Sequence, residues 1–126
     1  MHSGIKSIFM TSWSSINCGG EGISVEVANS DGSKCLTTSK DISRGETLHW
    51  SFGRGLDGDC SSMVVDEDST LYIQTSSTDD FCPKRVWLRT EKGDIYTSRN
   101  ISAWYDKDKT NSKKHALEKS SSQPGL

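Results

Sequence analysis

The sequence predicts an all-β fold, an antiparallel β-sandwich of about seven or eight short strands. Three observations carry this. Apolar and polar residues alternate with a period of two through several short runs. Clusters of Gly, Asp, Asn and Ser punctuate those runs at roughly 8–12-residue spacing. Leu/Ala/Glu-rich stretches are missing before the C-terminal segment, and 32% hydrophobic residues with 11 glycines suit a loop-rich β domain.

In chain order, Ile5 to Trp13 combines Ile, Phe, Met and Trp in partial alternation and reads as a first strand. "SSINCGGEG" is a loop. In "ISVEVANSDGSKCLTTS", Ile23, Val25 and Val27 fall on one face, and Ser24 and Glu26 on the other. Asn29-Ser30-Asp31-Gly32 turns the chain, and Lys34–Thr38 returns, so the stretch is a hairpin with one buried face. "ISRGETLHWSF" supplies the next strand and "GRGLDGDC" a Gly/Asp loop. "STLYIQTS" alternates again, with Leu71 and Ile73 opposite Tyr72. In "RVWLRTEKGDIYTS", Val86 and Leu88 alternate with Trp87, the chain turns at Glu91–Asp94, and Ile95–Thr97 returns. "ISAWYDKD" is expected to close the last strand. The expected organisation is therefore one sandwich domain over residues 1–106 and a polar, basic, flexible tail over 107–126, with a short helical turn at His115–Lys119.

The 126 residues suffice for one domain with a core and are too few for two ordinary ones. A net charge of −2 gives no strong overall field for nucleic acid or for an anionic membrane. The charge is unevenly placed: Asp57, Asp59, Asp66, Glu67, Asp68, Asp79 and Asp80 make the middle acidic, while Lys107, Lys109, Lys113, Lys114 and Lys119 make the tail basic. No stretch approaches the ~20 apolar residues of a membrane span, and "MHSGIKSIFM" lacks the pattern of a signal peptide.

The four cysteines, Cys18, Cys35, Cys60 and Cys82, are well separated and form no CxxC pair, so a zinc ribbon or thioredoxin-type motif is not expected. An even number beside turn residues reads as two disulfides and hence an oxidising, extracellular setting, against the alternative of four buried thiols. Spacing alone leaves all three pairings open. Asn100-Ile101-Ser102 is an N-glycosylation sequon, which matters only on the secretory route. Of the four tryptophans, Trp50, Trp87 and Trp104 lie in strand-like runs and are expected to pack in the core or on a sheet face. Trp13 borders a loop and is the candidate exposed aromatic.

From about residue 5 to 106 the order of features resembles a PLAT domain, the lipoxygenase-homology β-sandwich. "ISVEVANSDGSKC" resembles the family's second strand and following turn. "ISRGETLHWSF" resembles its F-x-R-G-x-x-D-x-F segment, with Ile42 for the aromatic and Leu48 for the acid. "STLYIQTSSTDDFCPKRVWLRTEKGDIYTS" resembles its strand–loop–strand and hairpin, with Phe81 in place of the usual Trp. Two departures stand out: Gln74-Thr75 occupies the place of a His-Asp pair, and the first loop is reduced to Gly19–Gly22. The resemblance implies that the loop after the first strand and the loop before "RVWL" lie at one end. It thereby implies the pairings Cys18–Cys82 and Cys35–Cys60. It also brings Asp79 and Asp80 near Glu21, where carboxylates in Gly-rich loops could hold calcium, a cation that takes about six to eight oxygens. The plainer reading of Asp79-Asp80 is a solvated turn.

Nothing in the sequence points to catalysis. His2, His49 and His115 are the only histidines, and GxSxG, HExxH, P-loop and dinucleotide fingerprints are absent. The expectation is a secreted, monomeric binding module rather than an enzyme. It would dock on a membrane lipid surface or protein partner through Trp13, Glu21, Asp79, Asp80 and Phe81, with calcium assisting at Glu21, Asp79 and Asp80 and the tail lysines adding attraction to anionic lipid. The alternatives are a secreted effector, toxin or defence protein acting on a host protein, a lectin-like sugar binder that uses Trp13, and a structural domain without a specific ligand.

Overall fold

A computed structural model of the chain describes residues 4–53, 55–78, 80–106 and 114–121. The strands are β1 (Ile5–Ser12), β2 (Gly20–Ala28), β3 (Lys34–Leu36), β4 (Lys40–Ile42), β5 (Thr47–Ser51), β6 (Thr70–Thr75), β7 (Pro83–Thr90), β8 (Ile95–Thr97), β9 (His115–Ala116) and β10 (Glu118–Ser120). They form two five-stranded sheets, β10-β8-β7-β1-β5 and β3-β2-β6-β9, with β4 also paired to β2. All the pairings are antiparallel. This is the β-sandwich that the alternating runs predict.

The core forms because each sheet aims one side of its pleat at the other. On β6, Leu71, Ile73 and Thr75 are buried and alternate with half-buried Thr70, Tyr72 and Gln74. On β2, Ile23, Val25 and Val27 meet them. From the opposite sheet come Ile8 and Met10 of β1, Leu48 and Trp50 of β5, and Val86 and Leu88 of β7. A register shift between Ile5 and Ser7 also turns Ile5 inward, despite its odd position relative to Ile8. The buried indole N–H of Trp50 donates to the Thr38 carbonyl at 2.8 Å, which satisfies the one polar atom that this large side chain brings inside.

Trp87 points the other way. It lies on the outer face of its sheet, where Phe9 stacks between it and His49, with ring centroids 5.3 and 4.5 Å apart. The pairing is direct across strands, Phe9 opposite both His49 and Trp87.

The described residues between β5 and β6 form no strand, and several ties hold them. A disulfide links Cys35 to Cys60. The Asp57 carboxylate accepts the Ser51 backbone N–H at 2.8 Å and pairs with Lys40 at 3.2 Å, which together hold its pKa below the usual carboxylate value. Gly58 lies at φ 125°, where an added Cβ would stand 2.9 Å from the Leu36 carbonyl oxygen, so no other residue fits. Asp66, Glu67 and Asp68 form an exposed turn.

The C-terminal segment departs from the sequence expectation. Residues 114–121 are not a tail, and His115–Lys119 is not a helical turn. His115 and Ala116 pair with Leu71 and Thr70 in one sheet, and Glu118–Ser120 pair with Ile95–Thr97 in the other. The chain steps from sheet to sheet between these pairs, and Leu117, at the step, is 2% exposed in the core. On the opposite side, β4 and β5 make a similar step from one sheet to the other. Tail lysines 107, 109 and 113 lie outside the described residues. Lys119 lies 3.8 Å from Asp94.

Candidate functional site

One end of the sandwich gathers the C-terminus of β1, the N-termini of β2, β5 and β7, and the segment after β8. The disulfide Cys18–Cys82, with Cα atoms 4.6 Å apart, ties the loop after β1 to the start of β7. Trp13 N–H donates to the Cys82 carbonyl at 3.0 Å, and Gly45 N–H to the Trp13 carbonyl at 3.0 Å. The loop itself closes as a turn, Cys18 N–H to Ser15 carbonyl at 3.2 Å, with Asn17 at φ 68°, a left-handed conformation that Asn tolerates. That turn pushes Ile16 outward, where it is 73% exposed.

Trp13, the expected exposed aromatic, is half-buried. Its indole N–H donates to the Ile101 carbonyl at 2.8 Å, and the Lys84 ammonium sits 5.0 Å above its ring. Trp104, expected to pack, is instead 46% exposed. Among the described residues 101–106 of "ISAWYDKD" there is no strand: residues 98–104 are irregular, and Tyr105 bridges to Phe81, with backbone bonds of 2.8 and 2.9 Å in the two directions.

Phe81, expected as a contact residue, is completely buried, so it cannot meet a partner in this conformation. Its ring lies 5.8 Å from Tyr105 and above Gly20, where a Cβ would approach the Phe81 Cβ to 2.7 Å. Phe81 is thus a wedge that fixes the loop end. Tyr105 behind it is bonded through its hydroxyl to His115 Nε2, and burial pushes its pKa up to about 12.

The carboxylates sort differently from the sequence expectation. Glu21 is exposed and lines a cleft of about 350 Å³ with Gly19, Gly20, Asp41, Ser43 and Ser77. Asp41 was not singled out by the sequence, because it arrives from β4, twenty residues along the chain. One of its oxygens already accepts the Gly22 N–H at 3.0 Å. Asp80 is exposed, and Asp79 lies outside the described residues. Among the described residues no group of three or more His, Cys, Asp or Glu could hold a metal ion. Two cleft carboxylates supply only part of the oxygen set calcium takes, about six to eight ligands that include backbone carbonyls and water. The two described histidines lie on different sheets, His49 on β5 and His115 on β9, and do not converge.

No protein-family profile matches the chain, and no curated protein matches it by sequence. Its shape is shared. A lipoxygenase crystal structure superposes over 95% of this chain with a TM-score of 0.62 and 12% identity. The alpha toxin of Clostridium absonum superposes over 91% with a TM-score of 0.60 and 14% identity. The matched regions make up 17% of the lipoxygenase chain and 32% of the toxin. The chain has the PLAT-like sandwich fold that the sequence resemblance implies, and it corresponds to a small part of each of these longer proteins.

Proposed function

We propose that this chain is a disulfide-stabilised docking module that meets a membrane surface through the end built on Cys18–Cys82. One observation carries the reading: Ile16 and Trp104 are exposed on an end otherwise held rigid by the disulfide, the Trp13 hydrogen bonds and the Phe81 wedge. Rigid loops with an aliphatic tip and an amphipathic indole suit the boundary between headgroups and acyl chains. The fold shared with part of a lipoxygenase and part of a toxin is consistent with a module that serves a larger protein or acts at a surface. Two disulfides fit an oxidising, extracellular site of action, and no helix among the described residues is long and apolar enough to cross a membrane. Calcium enters the proposal only as an assistant at Glu21, Asp79 and Asp80.

Sedimentation with phosphatidylcholine vesicles containing phosphatidylserine, in calcium and in chelator, tests this. Fully burying an Ile side chain is worth about 1.5–3 kcal/mol. Ile16→Ser should therefore weaken partitioning about tenfold or more, and Trp104→Ala comparably. Leu56→Ala, also at an exposed residue but on the loop of the second disulfide, should leave binding unchanged. Binding that ignores both Ile16 and Trp104 would remove this end as the membrane contact. A chain that never associates with vesicles but captures a protein through the same residues would replace the lipid with a protein partner. An effect of chelator that vanishes in Glu21→Gln would support the calcium component, and identical binding in calcium and chelator would remove it.

A further inference from the structure

We propose that Asn100 is an N-glycosylation site. The chain has four asparagines, Asn17, Asn29, Asn100 and Asn111, and only Asn100 is followed two residues later by a hydroxyl residue with a non-proline between. The structure presents that tripeptide in a form a transferase can use. Ser98 is buried, and its hydroxyl accepts the Val86 N–H at 3.1 Å and donates to the Arg99 carbonyl at 3.0 Å. Ile101 is buried too, and its N–H donates to the Lys84 carbonyl at 2.7 Å. These two inward anchors hold the segment against β7 and leave Asn100 and Ser102 both exposed. The segment belongs to no strand, so no ladder hydrogen bond must break for the side chains of Asn100 and Ser102 to enter an enzyme. The middle residue, Ile101, faces the core, so a sugar on the outward amide displaces no packed group.

The independent support is the redox chemistry. The chain carries two disulfides and no free cysteine, which fits the same secretory route in which asparagine-linked sugars are added. The donor is a lipid-linked oligosaccharide pyrophosphate. A bond forms between Asn100 Nδ2 and the anomeric carbon of the sugar, the carbon–oxygen bond to the pyrophosphate breaks, the amide loses one proton, and the lipid pyrophosphate leaves. The attached glycan would stand at most about 14 Å along the backbone from Trp104, four residues away. It therefore stands at the same end of the sandwich, on the segment after β8.

The test is to produce the chain in cultured mammalian cells behind a signal peptide. Secreted and cell-retained protein are both treated with peptide-N-glycosidase in heavy-oxygen water, and the peptide spanning residue 100 is read by mass spectrometry. A single glycan should be found, with the peptide converted to a heavy-labelled aspartate. Asn100→Gln and Ser102→Ala should each abolish it, while Ser102→Thr should retain it. The two losses arise at different residues, so a folding defect in one variant does not mimic the result. An unmodified residue 100 throughout the wild-type protein, in both fractions, overturns the proposal and leaves the docking reading untouched.

Discussion

Replacing Leu117 by alanine tests whether the segment after residue 113 belongs to the domain. Leu117 is 2% exposed and sits where the chain steps from β9 in one sheet to β10 in the other. Leu-to-Ala substitutions in cores cost about 2–5 kcal/mol, and the cost falls where neighbours can relax into the gap. The step lies at the side of the sandwich and relaxes more readily than its centre, so about 2–3 kcal/mol is expected. For a domain of this size each kcal/mol moves Tm by about 4 °C, so Tm should fall by roughly 8–12 °C. Thermal unfolding followed by circular dichroism, with Leu56→Ala as the control, measures it. Leu56 is 75% exposed, and its replacement should stay within about 0.5 kcal/mol of the wild type. If Leu117→Ala matched that control, residues 114–121 would be an appendage and the two edge pairings would be wrong.

Other outcomes follow from the ties at the two ends. Loop-entropy arguments give about 4.3 kcal/mol for Cys18–Cys82 and about 3.5 kcal/mol for Cys35–Cys60, from sequence separations of 64 and 25. Paired Cys→Ala variants compared by urea denaturation should show that order. Trp13→Phe keeps a ring beneath Lys84 but orphans the Ile101 carbonyl, so the urea midpoint should drop by the equivalent of about 1 kcal/mol at unchanged slope. The Asp57 pKa is depressed on folding, so its contribution is present at neutral pH and lost as pH falls below about 4. Asp57→Asn should flatten that acid limb of a stability–pH profile. Tyr105 is the opposite case: folding raises the pKa of an acid, so the folded state holds its proton longer and stability declines as pH rises from about 10 toward 12. Its phenolate absorbance should appear only near pH 12 in an alkaline titration, and Tyr105→Phe should remove that step.

The strands were legible where the alternation was long enough to show. β2 and β6 run six residues or more with one clean apolar face, and both were readable from their Ile, Val and Leu positions. β9 and β10 were not, because they comprise two and three residues and contribute a single core side chain between them. No periodicity exists in a stretch that uses each residue for a different purpose. The tryptophans failed for a related reason: position in an apolar run does not say which side of a crossing chain faces water. Trp104 follows Ile101 and precedes Tyr105, both buried, yet the irregular backbone turns its own ring outward. Phe81 was misjudged because its loop looked polar, and the signal that it is enclosed lies elsewhere, in Gly20 leaving room for it. The disulfide pairing was reachable only through the family resemblance, since it depends on which loops share an end. Asp41 was missed because strand pairing, not sequence proximity, brings it beside Glu21.

The step at Leu117 also sets a schedule for biosynthesis. A ribosome delivers β6 and β8 well before the short strands that flank them, so each waits with one row of backbone donors and acceptors uncovered. Cys60 emerges before Cys82, so the bridge to Cys35 can form while half the sandwich is still being made. The nascent domain is then already cross-linked on one side while still open on the other. During that interval it is most exposed to pairing with a neighbouring copy or with a chaperone, and the last strands to arrive end the interval by covering both sheets at once.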